Sequence, residues 1–390
     1  MKRLAIVIKD LKMGGSEKAL VSMLKEIPEG KLHITLYVLA VEGELLGEIP
    51  SWIQIKVIPY GTTRMVDIIK GYLRSGKLIK AVHSTVLSIQ MRSKHYYEQY
   101  LYKALMLPKI EDEFDVAISY FFPCGFTDWY TLHNVRAKKR FVWVHSDISK
   151  FPNIHHSACI EMYSSYDRIF CVSEESRRSF IKTLPEVSDN VDVMYNFISS
   201  EEILTKAEEE LGFDDGFEGF RIVTVGRLSK EKGQDLIPGV LKRLLAEGYN
   251  VRWYCVGEGK LRSYLEQWTV EMGLEERLVL LGNQANPYPY VKNCDIYVQP
   301  SRIEAYSLAI AEARCLRKPI VSTFTNGSVE QIEDEVTGFL ASIDEEALYS
   351  KIKILLENEE IRNRFINQTD MRGLEVSDEK LETLYSHILS

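Results

Sequence analysis

Two glutamates separated by seven residues, Glu304 and Glu312, stand in the stretch Pro300-Ser301-Arg302-Ile303-Glu304-Ala305-Tyr306-Ser307-Leu308-Ala309-Ile310-Ala311-Glu312-Ala313. A helix beginning near Tyr306 leaves Glu304 in the loop ahead of it and sets Glu312 about two turns inside. Eight steps of about 1.5 Å span roughly 12 Å, comparable to a nucleoside diphosphate sugar from its ribose to its hexose. Free N–H groups at the helix N-terminus suit a diphosphate, and carboxylates at both ends accept bonds from sugar hydroxyls. A pair of ordinary helix-surface glutamates satisfies the same spacing.

A second group follows the apolar run Arg221 to Val225: Gly226-Arg227-Leu228-Ser229-Lys230-Glu231-Lys232-Gly233. Arg227 as a bidentate fork and Lys232 as a point charge would clamp a diphosphate; a solvated basic loop is the alternative. Near the start, Gly14-Gly15-Ser16-Glu17 precedes a helical pattern beginning near Lys18. Its bare backbone N–H groups suit a phosphate or sugar, while a tight turn with Ser16 as N-cap accounts for it equally.

These residues follow short apolar, β-branched runs that alternate with amphipathic stretches of helical length, the pattern of parallel sheets covered by helices. The fold class is α/β. Strands are predicted at Leu4 to Ile8, His33 to Leu39, Ile53 to Ile58, Val116 to Ser119, Phe141 to Val144, Arg168 to Val172 and Val191 to Met194. A second series comprises Arg221 to Val225, Val251 to Val256, Leu278 to Leu280, Ile296 to Val298, Ile320 to Ser322 and Gly338 to Leu340. Two doubly wound sheets fit better than one, and ligands of such sheets bind beyond the carboxyl ends of the strands. Residues 201 to 218, with eight acids and one base, read as a solvated linker helix ending in a Gly-rich turn.

The chain has 390 residues, 45% hydrophobic and 27% charged, enough apolar surface for full-sized cores. The opening apolar run stops at Lys9-Asp10, short of an export signal, and no run approaches the roughly 18 to 20 residues of a membrane span. A cytoplasmic protein is expected. The six cysteines are scattered without zinc-ligand spacing, and most read as buried small hydrophobes in a reducing compartment. The net charge of -8 is uneven: residues 1 to 195 hold 26 bases against 22 acids, the rest 22 against 34.

Together these pieces resemble glycosyltransferase family 4, the retaining, nucleotide-sugar-dependent transferases of GT-B fold. The resemblance rests on Val225-Gly226-Arg227-Leu228 with Lys232-Gly233, on Val256-Gly257-Glu258-Gly259 and on the Glu304 to Glu312 block with Ala313. Looser support comes from Gly14-Gly15-Ser16-Glu17, Trp143-Val144-His145 and Val172-Ser173-Glu174. It implies two Rossmann-like domains facing across a cleft: an acceptor domain over 1–198, a donor domain over 199–375, and a helix over 376–390 returning to the first. By resemblance, Arg227 and Lys232 hold the diphosphate, Glu312 the ribose hydroxyls and Glu304 the hydroxyls of the transferred sugar. Gly226, Gly257, Ala305, Tyr306, Ser307 and Leu308 complete the donor pocket. Gly14, Gly15 and Ser16 pack against the phosphates, and His145 faces the donor sugar near the reacting carbon.

The implied activity is retaining transfer of a hexosyl unit, with a UDP-sugar the first expectation, to a glycan or lipid-linked saccharide in cell-surface polysaccharide synthesis. No cofactor is expected and no metal, since Arg227, Lys232 and the helix end can neutralise the leaving group. The family often has Gly where this chain has Ala305 and Arg317, a Gly-rich loop at Thr325-Asn326-Gly327-Ser328, and Asn-Gly at Asn196-Phe197. Gly257-Glu258-Gly259 has only two of the three glycines of a dinucleotide fingerprint, which sets a dehydrogenase aside. A nonhydrolysing nucleotide-sugar epimerase of the same fold and a catalytically silent binding subunit remain as alternatives.

Residues 64 to 109 hold nine bases against Asp67 and Glu98. Lys70, Arg74 and Lys77 are expected on one helix face opposite Val66, Ile69 and Leu73, with Tyr96, Tyr97, Tyr100 and Tyr102 close behind. Such a surface fits an anionic membrane, and solvated helix faces explain it as well. Nucleic acid is not expected, because the chain is acidic and carries no recognisable binding module.

Overall fold

The computed structural model describes residues 1–59, 64–121, 123–150, 156–369 and 378–389. The chain divides into two compact units, Met1–Phe197 with Ser377–Ser390, and Ile198–Val376. The expected boundary at 375/376 lies outside the described residues.

The first unit is built on seven parallel strands: β1 (Arg3–Ile8), β2 (His33–Val38), β3 (Gln54–Val57), β4 (Glu113–Phe121), β5 (Arg136–Val144), β6 (Arg168–Cys171) and β7 (Val191–Val193). Their order is β3-β2-β1-β4-β5-β6-β7. Parallel strands covered on both faces must be apolar on both, and β1 and β2 are buried at every residue but the first. β4 and β5 start earlier than expected, because their entry is charged: Glu113 stands opposite Arg136, and Lys138 Nζ lies 2.8 Å from Asp115. Cross-strand ion pairs extend the ladder where an apolar run is absent.

Helices α1 (Gly15–Glu26), α2 (Met65–Arg74), α3 (Leu78–Met91), α4 (Tyr96–Met106) and α5 (Phe126–Asn134) cover this sheet with shorter ones. The chain breaks at Gly76, which has φ +70°, so Lys77 caps α3 and does not continue the α2 face. Ile68 and Tyr72 are the buried residues of α2; Val66 and Leu73 are exposed beside Lys70. The expected apolar stripe is therefore corrected: Val66 and Leu73 lie outward, on the same side as Lys70, and only Ile69 of the three packs, half-buried, against the core. Of the four tyrosines, Tyr97 is buried and only Tyr96 is fully exposed. The helix Asp378–Leu389 buries Leu384 and Ile388, and its His387 ring lies 5.0 Å from Phe170 of β6. Cys124 and Cys159 are joined as a disulfide, which corrects the reading of these two as separate small hydrophobes, while Cys171, Cys255, Cys294 and Cys315 are free and buried.

The second unit carries β8 (Phe220–Val225), β9 (Val251–Val256), β10 (Leu278–Gly282), β11 (Ile296–Gln299), β12 (Ile320–Thr323) and β13 (Phe339–Ala341), all parallel, in the order β10-β9-β8-β11-β12-β13. Residues 201 to 218 are not a solvated linker but part of this unit. Ile203 and Ala207 enter its core, Glu208 pairs with Lys292, and Asp215 is shared by Arg221, Arg252 and the Tyr254 hydroxyl. Burial opposes ionisation of Asp215, but those donors outweigh it and hold the carboxyl well below the carboxylate range. Arg317 has φ +51°, the left-handed conformation in which glycine avoids a Cβ clash, which accounts for the family's glycine at this place.

Inside the first unit, Asp128 of α5 is buried and accepts from Ser119 Oγ at 2.6 Å and from the Gly125 amide at 3.0 Å. Burial outweighs these bonds and pushes its carboxyl up to about 7. Between its ordinary value of 3.8 and about 7 the unfolded chain gives up a proton that the folded chain keeps, so this site's contribution to stability falls as pH rises. The cost is about 1.4 kcal/mol per pH unit at most, roughly 3 to 6 °C for a unit of this size. Asp128→Asn removes the linkage. Its melting temperature should gain on the parent chain progressively from pH about 4 to about 7 in thermal melts; a pH-independent difference between the two would refute this.

Candidate functional site

In the second unit the loops leaving β8, β9, β11 and β12 are locked to one another by backbone contacts. Gly226, after β8, donates its amide to Val256 of β9, and Leu228 donates to Glu258. Gly257 has φ +137°, and a Cβ there would lie 2.2 Å from the Gly226 oxygen. Gly233 has φ +72°, and its Cβ would fall 1.8 Å from the Pro300 oxygen, after β11. Only glycine permits either approach.

The Gly233 contact brings Lys232 onto the β11 loop, where Nζ lies 2.6 Å from Glu304 Oε1. The same oxygen accepts from Ser301 Oγ at 2.8 Å; Ser301 in turn accepts from Gln299 Nε2 at 2.9 Å, and Gln299 Oε1 accepts from the Tyr297 hydroxyl at 2.7 Å. All four residues of this chain from Tyr297 to Glu304 are buried. Arg302 grips Asp235 through two bonds of 2.7 and 3.0 Å, tying the β11 loop to the β8 loop a second time. Burial opposes ionisation of Asp235, but Arg302 and Lys230 overcome it and hold its carboxyl below the usual range. Gln234 is buried and donates to the Arg227 carbonyl at 3.0 Å, bracing the loop that presents the exposed Arg227 side chain.

The helix after β11 is Leu308–Cys315, two residues later than expected, because Ser307 caps it by accepting from the Ile310 amide. Glu312 is buried in its second turn, 3.3 Å from the Tyr288 hydroxyl. The β12 loop clasps the segment between: Gly327 donates to the Glu304 carbonyl at 2.9 Å, and Gln331 Nε2 reaches the Ser307 and Gly327 carbonyls. A Cβ on Gly327 would lie 2.8 Å from Tyr306 Cα, so glycine is required at the point of closest approach of this loop. Ala305 is buried, and burial pushes the Tyr306 phenol up to about 12.

Arg227, Lys232, Glu304, Ala305, Tyr306, Ser307, Leu308, Glu312, Gly226 and Gly257 thus share one sheet edge of the second unit. Gly14, Gly15, Ser16 and His145 belong to the first. There α1 starts at Gly15 with Gly14 as N-cap, so Ser16 is not the cap; its hydroxyl donates to Glu17 Oε2 at 2.8 Å. His145 follows β5 with its ring 4.5 Å from Tyr120. Its Nε2 is buried without a hydrogen-bond partner among the described residues, and burial pushes the imidazole down to about 3. Sequence reasoning missed Tyr297, Gln299, Ser301, Gln234, Asp235 and Arg302. For Gln299 and Ser301 a signal existed, since polar residues ending a buried strand ask for partners.

Residues 210–372 match the family described as Glycosyl transferases group 1, a span that includes every second-unit residue of the candidate site. The chain is 28% identical over 214 residues, 54% of its length and 57% of the relative's, to the N-acetylgalactosamine-N,N'-diacetylbacillosaminyl-diphospho-undecaprenol 4-alpha-N-acetylgalactosaminyltransferase of Campylobacter jejuni. It is 24% identical over 179 residues, 44% of its length and 47% of the relative's, to the capsular polysaccharide biosynthesis glycosyltransferase CapM of Staphylococcus aureus. The chain thus spans about half the length of the curated relatives it matches. Among solved structures, Anabaena HepE in complex with UDP-glucose aligns with a TM-score of 0.71 at 17% identity, over 99% of this chain and 100% of that one. A Rickettsia africae glycosyltransferase aligns at 0.70 and 15%, over 100% and 99%. Likeness at this identity shows the fold, which is GT-B: two parallel-sheet α/β domains.

The edge of the second unit depends on glycine where its loops meet backbone to backbone. Gly257→Ala should destabilise that unit by about 2 to 4 kcal/mol, read as loss of its thermal transition or a large fall in melting temperature. A variant melting within a degree or two of the parent would show that the loops can part without cost.

Proposed function

We propose that this chain, carrying a group 1 glycosyltransferase domain, transfers a hexosyl unit from a nucleoside diphosphate sugar to a glycan or lipid-linked saccharide acceptor, with retention, as part of cell-surface polysaccharide synthesis. The observation that carries the reading is the gathering, on one strand edge, of an exposed Arg227, a Lys232–Glu304 ion pair and a capped helix with Glu312 buried in its second turn. The match over residues 210–372 supports glycosyl transfer, and the UDP and UDP-glucose complexes of HepE support a UDP-sugar as donor. The relatives' named activities support a lipid-linked or capsular saccharide as acceptor.

In this reading the bond between the sugar's anomeric carbon and the diphosphate oxygen breaks while charge builds on the leaving group. Arg227, Lys232 and the N–H groups that open the helix Leu308–Cys315 stabilise that charge from fixed positions. Lys232 keeps its bond to Glu304 Oε1 and gives a second N–H to a phosphate oxygen; Glu304 Oε2 accepts from the sugar hydroxyls and Glu312 from the ribose. The acceptor hydroxyl attacks the leaving-group face, and its proton passes to the departing phosphate. The chain's own cations carry this charge balance, so no divalent ion enters the proposed step. Burial keeps His145 neutral at physiological pH, which leaves it hydrogen bonding and no proton to give.

Incubation with UDP-, GDP- and ADP-sugars in EDTA should release nucleoside diphosphate slowly from one donor. Glu304→Ala and Arg227→Ala should each lower that release about a hundredfold or more. Isomerised nucleotide sugar without release would indicate an epimerase; no turnover and no thermal shift with any donor would indicate a silent binding subunit. Activity lost on chelation and restored by Mn²⁺ or Mg²⁺ would defeat the metal-free step alone.

A further inference from the structure

We infer that α2 and α3 form a docking surface for an anionic lipid bilayer. The five large apolar side chains of α3 that are exposed, Leu78, Ile79, Val82, Val86 and Ile89, share one side of the helix. At 100° per residue they fall within an arc of about 100°, as wide as the stripe with which an ordinary helix faces its core. Here the stripe faces out: Ala81, Ser84 and Leu87 on the other side are the buried residues, and Ile79 is 86% exposed. Val66 and Leu73 of the neighbouring α2 add exposed apolar groups on the side that carries Lys70. A contiguous apolar surface of this kind on a folded chain marks a contact.

Charge selects the occupant. Lys70 and Arg74 are exposed on α2, and Lys77 and Arg92 are exposed at the two ends of α3, within the segment of nine bases and two acids. Of the two acids, Asp67 stands 3.9 Å from Lys70, and Glu98 lies 3.6 Å from Lys94, farther along. A second copy of the chain would bring this cationic rim against its like, whereas anionic headgroups complement it while the acyl boundary receives the apolar side chains. Among the described residues no helix is long and apolar enough to cross a membrane, so attachment of this kind is superficial. The inference stands on the surface alone and does not need the proposed donor site.

The intact chain is sedimented with vesicles of phosphatidylcholine, with and without phosphatidylglycerol, at low and high salt. Binding is expected only to the anionic vesicles at low salt. The combined change Lys70→Gln, Arg74→Gln and Lys77→Gln should weaken it at least tenfold, at about 1 kcal/mol per cation near the surface. Val82→Asp, at a solvent-exposed position, should abolish binding without changing the melting temperature. Absence of binding to anionic vesicles, or equal binding with and without phosphatidylglycerol, overturns the inference. So does a dimer, seen by light scattering, that Val82→Asp dissociates while vesicles are ignored, because the stripe would then be covered by a second copy.

Discussion

Backbone touching backbone at the carboxyl edge of the second sheet is the constraint from which the candidate site follows. Where Gly257 meets the Gly226 carbonyl and Gly233 meets the Pro300 carbonyl, no side chain intervenes, so loops from three strands behave as one piece. Lys232 reaches Glu304 because Gly233 lets the two loops close. Arg302 and Gln234 then fasten the same loops by hydrogen bonds that substrate need not disturb. Charged groups fixed in this way have little reorganisation left to do when a ligand's charge changes, and that is the property electrostatic catalysis requires.

Much of the fold could be read from the chain, because buried parallel strands are apolar on both faces and stand out as short β-branched runs. The thirteen strands among the described residues fall close to where those runs lie, and the two largest misses have one cause: β4 and β5 begin with residues that pair by charge and not by burial. The helices of residues 64–109 were harder. Apolar periodicity locates a helix but cannot say which way it faces when both sides carry hydrophobic groups. Ile68 and Tyr72 won the core from Val66 and Leu73 through their place relative to the sheet. The acidic segment after residue 200 misled for a related reason, since its carboxylates look solvated in sequence while their partners Arg252 and Lys292 lie far along the chain.

Of the candidate site, the charged residues were legible because their types and offsets are unusual after a strand. The neutral ones that hold them were not. Tyr297, Gln299 and Ser301 sit in a strand end and loop whose sequence is unremarkable, and only the fold shows that their polar groups run in series toward one carboxylate. His145 and Asp128 illustrate the same limit from the other side: their ionisation is set by burial, which belongs to the packed structure.

The series ends in an asymmetry. Among the described residues, Lys232, Ser301 and, at 3.5 Å, Gln299 all direct their donors to a single oxygen of Glu304, Oε1. A carboxylate has about four lone-pair directions, so this crowding leaves Oε2 as the acceptor that still has both of its own. The group can therefore count hydroxyls on whatever meets it: it rewards a ligand that brings hydrogens and is indifferent or hostile to one that brings only lone pairs. A polarity of that kind sorts ligands by the direction of their hydrogen bonds before their size or shape is felt.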